Sequence, residues 1–179
     1  MKDQSFSLQP FDSNSPLTNC AIVGNITRYN HTLAISYELR CQLAELAIPT
    51  SASEPTRKDE LWKTTCFEFF FGIKDSPQYW EFNLSPTEDW NVYRFAAYRQ
   101  GMQEEMAFSS LPFKIQKQPD LLLLTLEVNL EQLISANQAL EVAISAVVKP
   151  REGKVSYWAL VHPGSQADFH QRDSFILEL

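Results

Sequence analysis

LWKTTCFEFFFG (61–72), YWEFNLSP (79–86) and DWNVYRFAAYR (89–99) follow one another with only short connections, and this segment decides the fold. In a strand, residues two apart share a face. Phe67, Phe69 and Phe71 therefore point one way, while Cys66, Glu68 and Phe70 point the other. On the next strand Trp80, Phe82 and Leu84 oppose Tyr79, Glu81 and Asn83. A one-residue slip would set Phe against Glu throughout, so the register that matches both apolar faces is strongly preferred. That register puts Glu68 opposite either Glu81 or Asn83. The segment predicts a sheet with one oily face, packed on a second sheet, and one face of acids, amides and aromatics. A merely solvated face of an antiparallel sheet is the alternative. Such faces carry mostly Lys, Thr and Ser, whereas Tyr, Trp, Asn and Glu beside arginines suit a ligand face.

The same period of two runs outward along the chain. CAIVGNITRY (20–29) and TLAISYELR (32–40) alternate across Asn30-His31 and read as a hairpin. PTSASEPTRKDE (49–60), with two prolines and little apolar content, reads as a long surface loop. TCFEFFFGI (65–73) and YWEFNLSP form a second hairpin, VYRFAAYR (92–99) a further strand, and a polar, Met-containing stretch runs on to Pro112. LLLLTLEVNL (121–130) is a strand whose Thr125, Glu127 and Asn129 are expected to extend the polar face. It leads into a short helix, with Asn129 as N-cap and Gln132 three residues on. LEVAISAVVK (140–149) and VSYWALVH (155–162) pair about KPREGK, and FILEL (175–179) closes the chain with Phe175, Leu177 and Leu179 on one face. The expected fold is all-β: an antiparallel β-sandwich of jelly-roll or immunoglobulin-like kind with one short helix, as a single domain over residues 1–179.

A net charge of −7 without any Lys/Arg run excludes readers of nucleic-acid phosphates and of anionic membrane surfaces. No apolar run approaches the ~20 residues of a membrane span. Cys20, Cys41 and Cys66 are odd in number and match no metal spacing, so they read as reduced thiols. With no apolar signal segment near the N-terminus, a cytoplasmic location is expected. No metal site is expected; HPGSQADFH (162–170) is loop-like, and Asp168 reads as a turn cap. Five glycines leave little from which to build a phosphate loop.

LWKTTCFEFFFG followed by YWEFNLSPTEDWNVYRFAAYRQGM resembles the DOMON-like domain related to family 9 carbohydrate-binding modules. The ending, YWALVHPGSQADFH before FILEL, is similar to the stand-alone bacterial form of that domain. The likeness spans roughly residues 30–179. It rests on the Trp-x5-Glu spacing of Trp62 and Glu68, the E-F-N-x-S-P turn, and the W-A-L-x-H-P and D-F-H pieces. It implies a non-catalytic binder of a mono- or oligosaccharide, with no cofactor. Trp62 would stack on a sugar ring, Glu68 would accept its hydroxyls, and Arg94 or Arg99 would contact it. Trp90 and Trp158 are candidates for a second stacking tryptophan. Glu81 and Asn83 complete the set by their place on the polar face, since sugars need flat aromatics plus acids, amides and arginines.

Two other readings follow. Cytochrome members of the superfamily bind b-type haem through Met and His, for which Met102 or Met106 could pair with His162 or His170. The methionines, however, lie in the polar stretch QGMQEEM. An enzyme reading would use Glu68 and Glu81, on adjacent strands, as the ~5 Å carboxyl pair of a retaining glycosidase. A pair of this kind more often binds ligand or holds structure.

Overall fold

Strand alternation becomes strand pairing throughout the computed structural model, which describes residues 2–12, 17, 19–49 and 54–179. In chain order the strands are β1 (Lys2–Pro10), β2 (Ala21–Tyr29), β3 (Thr32–Arg40), β4 (Cys66–Ile73), β5 (Tyr79–Leu84) and β6 (Trp90–Phe95). They continue as β7 (Gln103–Glu104), β8 (Phe113–Gln118), β9 (Leu121–Asn129), β10 (Leu140–Val148), β11 (Ser156–Ala159) and β12 (Leu177–Glu178). All pairings between these strands are antiparallel. One layer runs β1-β2-β3-β9-β8 and the other β7-β6-β5-β4-β10-β11, with β12 beside β11 on the far edge of β10. The layers are joined through β1. Its residues 2–8 pair with β2, while Gln9 and Pro10 pair with β11, so one sheet curls around the core.

The core lies between the layers. Leu8, Ile22, Ile26, Leu33, Ile35 and Leu39 of the first meet Phe67, Phe69, Phe71, Trp80, Phe82 and Ile144 of the second. Phe69 stacks on Phe82 at 4.4 Å and Phe71 on Trp80 at 5.0 Å, as strand parity predicts. The fully buried Tyr37 donates its hydroxyl to the backbone carbonyl of Glu68 at 2.8 Å, while the Trp158 indole N–H in the same core has no hydrogen-bond partner among the described residues. Gly24 is required at its position: a Cβ there would lie 2.0 Å from the Ser36 carbonyl oxygen and 2.4 Å from Phe6 Cζ.

The β2–β3 hairpin turns at Asn30-His31 as expected, with Asn30 at φ 52°. Several expectations are corrected. Cys20 and Cys41 are disulfide-bonded, one step beyond the Ala21–Arg40 pair at the open end of that hairpin. Only Cys66 is free, and buried. The expectation of a cytoplasmic location thus loses the support it drew from three reduced thiols. The helix after β9 does not form. Asn129 Oδ1 does accept the Glu131 N–H at 2.8 Å, but the chain makes a single turn in which Leu133 and Ile134 N–H both reach the Leu130 carbonyl. Arg28 then draws the chain away, donating to the carbonyls of Ser135, Ala136 and Gln138. The helical segments present among the described residues are 3-10 turns at Leu43–Glu45, Leu61–Lys63 and Arg172–Ser174.

The strand expected over 92–99 stops at Phe95, because 96–100 make a tight turn with Arg99 at φ 51°. The strand expected over 155–162 narrows to Ser156–Ala159. The closing strand is Leu177–Glu178; Phe175 precedes it in a 3-10 turn and packs on the opposite side of the sheet from Leu179. Thr125, Glu127 and Asn129 do not extend the Glu68 face: β9 pairs with β3 and β8, so they lie on the outside of the other layer. Of the expected 49–60 loop, residues 50–53 lie outside the described residues. Residues 56–58 run along the edge of β6, bonded to Trp90 on both sides.

Candidate functional site

The outer face of the second layer is not open to water. Across β6, β5, β4 and β10, Asn91, Asn83, Glu68 and Ser145 form one transverse row, each at most 2% exposed. The next row is Tyr93, Glu81, Phe70 and Ala143, and the one after it Phe95, Tyr79, Gly72 and Glu141. The C-terminal segment folds back over these rows. Phe175 packs on Phe70 and Tyr79, and the Arg172 guanidinium pairs with Glu141 above Gly72. A Cβ on Gly72 would fall 1.5 Å from Arg172 Nη1, so the glycine makes room for this clamp.

Between the sheet face, the 165–170 segment and the Leu61–Lys63 turn lies a cavity of about 610 Å³. Glu68 and Glu81 line it from the sheet, with Arg99 and Met102 beyond the end of β6. Its aromatic lining is Phe11, Trp62, Phe95, Tyr157 and Phe169. Trp62 is held edge-on to Tyr93, ring centroids 5.7 Å apart. A lining of aromatics with a few convergent polar groups is the usual make-up of a small-molecule site.

Asn83 Nδ2 donates to Glu81 Oε1 at 2.8 Å, and the Cys66 thiol lies 3.6 Å from Asn83 Oδ1. Asn83 thus orients Glu81 from behind. Glu68 Oε1 and, next to it across the ladder, Ser145 Oγ are buried without a hydrogen-bond partner among the described residues. Unmatched buried oxygens are rare and costly. Burial, reinforced by the nearby Glu81 carboxylate, holds the Glu68 carboxyl well above the usual range. Burial likewise pushes Glu81 up to about 7, against the opposing pull of the Asn83 hydrogen bond and the Arg99 charge.

His170 sits among Phe70, Tyr79 and Phe95, with Nδ1 2.8 Å from the Tyr79 hydroxyl and Nε2 3.9 Å from Glu81 Oε2. Burial, aided by the Arg99 charge and opposed by Asp168, pushes it down to about 4, so the ring is neutral at pH 7. Asp168 fastens the covering segment. Its Oδ1 takes the Arg99 guanidinium at 2.8 Å and the His170 N–H at 3.1 Å, and its Oδ2 takes the Tyr98 hydroxyl. The turn-capping part read from the sequence is therefore one of three bonds that Asp168 makes.

Trp62, Glu68, Glu81 and Arg99 come together at the cavity, and Asn83 stands directly behind it. Arg94 does not: it is exposed on the other side of β6 and bonds Gln103. Trp90 and Trp158 belong to the inter-sheet core, so neither can stack on a ligand here. Their strands alternate, and it is their neighbours Asn91 and Tyr157 that face outward. Of the haem candidates, Met102 and His170 line the cavity. Met106 is 76% exposed, and His162 bonds the Gln9 carbonyl. The nitrogens of His170 face Tyr79 and Glu81, an arrangement that does not support a Met/His axis. Phe95, Tyr157 and Phe169 escaped the sequence reading, although the outward parity of Phe95 was available from Tyr93. No group of His, Cys, Asp and Glu suited to a metal ion occurs among the described residues.

No protein-family model matches the sequence, and no curated protein does. Several solved structures are similar in fold, among them two described as binding carbohydrate. A protein from Bacteroides uniformis to which carbohydrate binding is ascribed aligns over 96% of this chain and 84% of its own, with TM-score 0.63 and 13% identity. A family 9 carbohydrate-binding module from Caldicellulosiruptor kristjanssonii, in complex with glucose, aligns over 92% of this chain and 78% of its own, with TM-score 0.54 and 13% identity. At such identity the likeness is one of fold.

Proposed function

We propose that this chain is a non-catalytic carbohydrate-binding domain of the DOMON-like kind, which takes a mono- or oligosaccharide in the cavity over Glu68. The observation that carries the proposal is Glu68 Oε1: an oxygen buried at the cavity, without a geometric hydrogen bond among the described residues, beside an aromatic wall. Sugar hydroxyls supply the missing donor, and the apolar faces of the ring suit Trp62 and Phe169. The fold shared with a glucose-binding family 9 module supports the same reading.

Titration calorimetry with a panel of soluble sugars tests this. Millimolar to micromolar binding, accompanied by a change in tryptophan fluorescence that disappears in Trp62→Phe, is the expected outcome. Trp62 is the one tryptophan that lines the cavity, so binding heat with an unchanged Trp62 signal would place the sugar elsewhere.

A further inference from the structure

We propose, building on the carbohydrate reading, that the cavity over Glu68 and Glu81 selects a sugar bearing a protonated amine, with the ammonium held against the Glu68 carboxyl. The carboxyls that line the cavity have no free cation of the described chain beside them; burial favours their protonated form, and an ammonium would take the place of the carboxyl proton. Two carboxyls, Glu68 and Glu81, enter it from adjacent strands, 2% and 4% exposed. Of the basic groups facing them, Arg99 already has its guanidinium on Asp168 at 2.8 Å, and His170 is a neutral imidazole. The other titratable groups nearby, Cys66, Tyr79 and Tyr157, bring no positive charge. A cation able to replace the carboxyl proton is therefore what the described residues around the site do not supply.

Glu68 Oε1 marks where that cation would sit, since it is a buried oxygen at the cavity that makes no hydrogen bond among the described residues, and the Cys66 thiol beside Glu68 is only a weak donor. An ammonium brings three N–H donors and a full charge, and charge-assisted bonds are about twice as strong as neutral ones. The aromatic lining adds attraction for a cation over ring faces. A neutral hydroxyl could also bond to Oε1, but it leaves the carboxyl in its neutral form and makes the weaker, uncharged bond.

The full chain is titrated at neutral pH with glucose, glucosamine, N-acetylglucosamine and cyclohexylamine. Acetylation keeps the sugar and removes the charge, whereas cyclohexylamine keeps the charge and removes the hydroxyls. The expected result is that glucosamine binds about tenfold more tightly than glucose, the difference between a charged and a neutral hydrogen bond. N-acetylglucosamine gains nothing over glucose. The preference disappears in Glu68→Gln and shrinks in Glu81→Gln. Because the ligand series is read on the unmodified chain, a variant that folds poorly does not spoil the test. Equal affinity for glucose and glucosamine overturns the amine preference and leaves the sugar site standing. Binding of cyclohexylamine with none of the sugars overturns the carbohydrate reading and keeps the amine. Silence from all four ligands overturns both.

Discussion

The two faces of β4 and β5 are both buried, yet they are built on opposite terms. On the inner face, Phe67, Phe69, Phe71, Trp80 and Phe82 interlock with the other layer, and the polar atom at their centre, the Tyr37 hydroxyl, is satisfied. On the outer face, one residue away at every step, Glu68, Glu81, Asn83 and Ser145 are equally dry but incompletely matched. The inner face is what hydrophobic burial and close packing produce. The outer face carries groups that weaken the free protein, and such costs gather where structure is held ready for a ligand.

The largest expected effect comes from breaking the inner face. Phe69→Ala should cost about 3–5 kcal/mol in denaturant unfolding, as a core cavity does. Loss of less than about 1 kcal/mol would mean that the aromatic stack with Phe82 is not close-packed.

The second test is the pH dependence of the outer face. The Glu81 carboxyl titrates at about 7 when folded and near 4.5 when unfolded, so between these values the folded state holds the extra proton. Raising the pH from 4.5 to 7 therefore removes stability, by about 3 kcal/mol from this group. His170 acts the other way. Its folded value of about 4 lies below the unfolded 6.5, so it adds stability as pH rises through that window. Unfolding curves of the wild type and Glu81→Gln should diverge in favour of the variant as pH climbs from 4.5 to 7, then run parallel. A constant gap across that range would show Glu81 to be ordinarily acidic.

A smaller effect links the two faces. Tyr37→Phe removes one hydroxyl from the core and the bond to the Glu68 carbonyl, for about 1–2 kcal/mol. Equal stability of the variant would mean that this bond contributes nothing net. Smallest in stability is Trp62→Ala, at less than about 1 kcal/mol, because the side chain is only partly buried in a surface turn. Its effect should appear in sugar affinity instead. Unfolding of the domain by this change would make Trp62 a core anchor.

The division of these two faces was legible in the sequence, because side-chain parity in β4 and β5 is fixed by the backbone and the apolar pattern fixes the register. Glu68 does face Asn83, one of the two partners the pattern allowed. Parity also misplaced Trp90 and Trp158 for want of being applied to them. Each is the apolar neighbour of an outward residue, and inward packing claims it. Other features depend on contacts distant in sequence, which no local pattern announces. The covering C-terminal segment is fastened by Asp168 to Arg99 and by Arg172 to Glu141, and with the Leu61–Lys63 turn it makes a cavity of a sheet face. The Cys20–Cys41 bond needs the hairpin closed before the two residues become neighbours. β1, β7 and β8 went unrecognised because they are polar or short; in β1 only Phe6 and Leu8 among the described side chains are buried.

The central claim is that the outer face sacrifices stability for binding, and Glu68→Gln tests it most directly. Unfolding free energy and sugar affinity of this variant should be measured side by side at neutral pH. The variant should be as stable as the wild type or more so, and its sugar binding should fall by about threefold to tenfold, the loss expected with one hydrogen bond. A variant that is clearly destabilised but binds sugar undiminished would make Glu68 a structural residue and contradict the account.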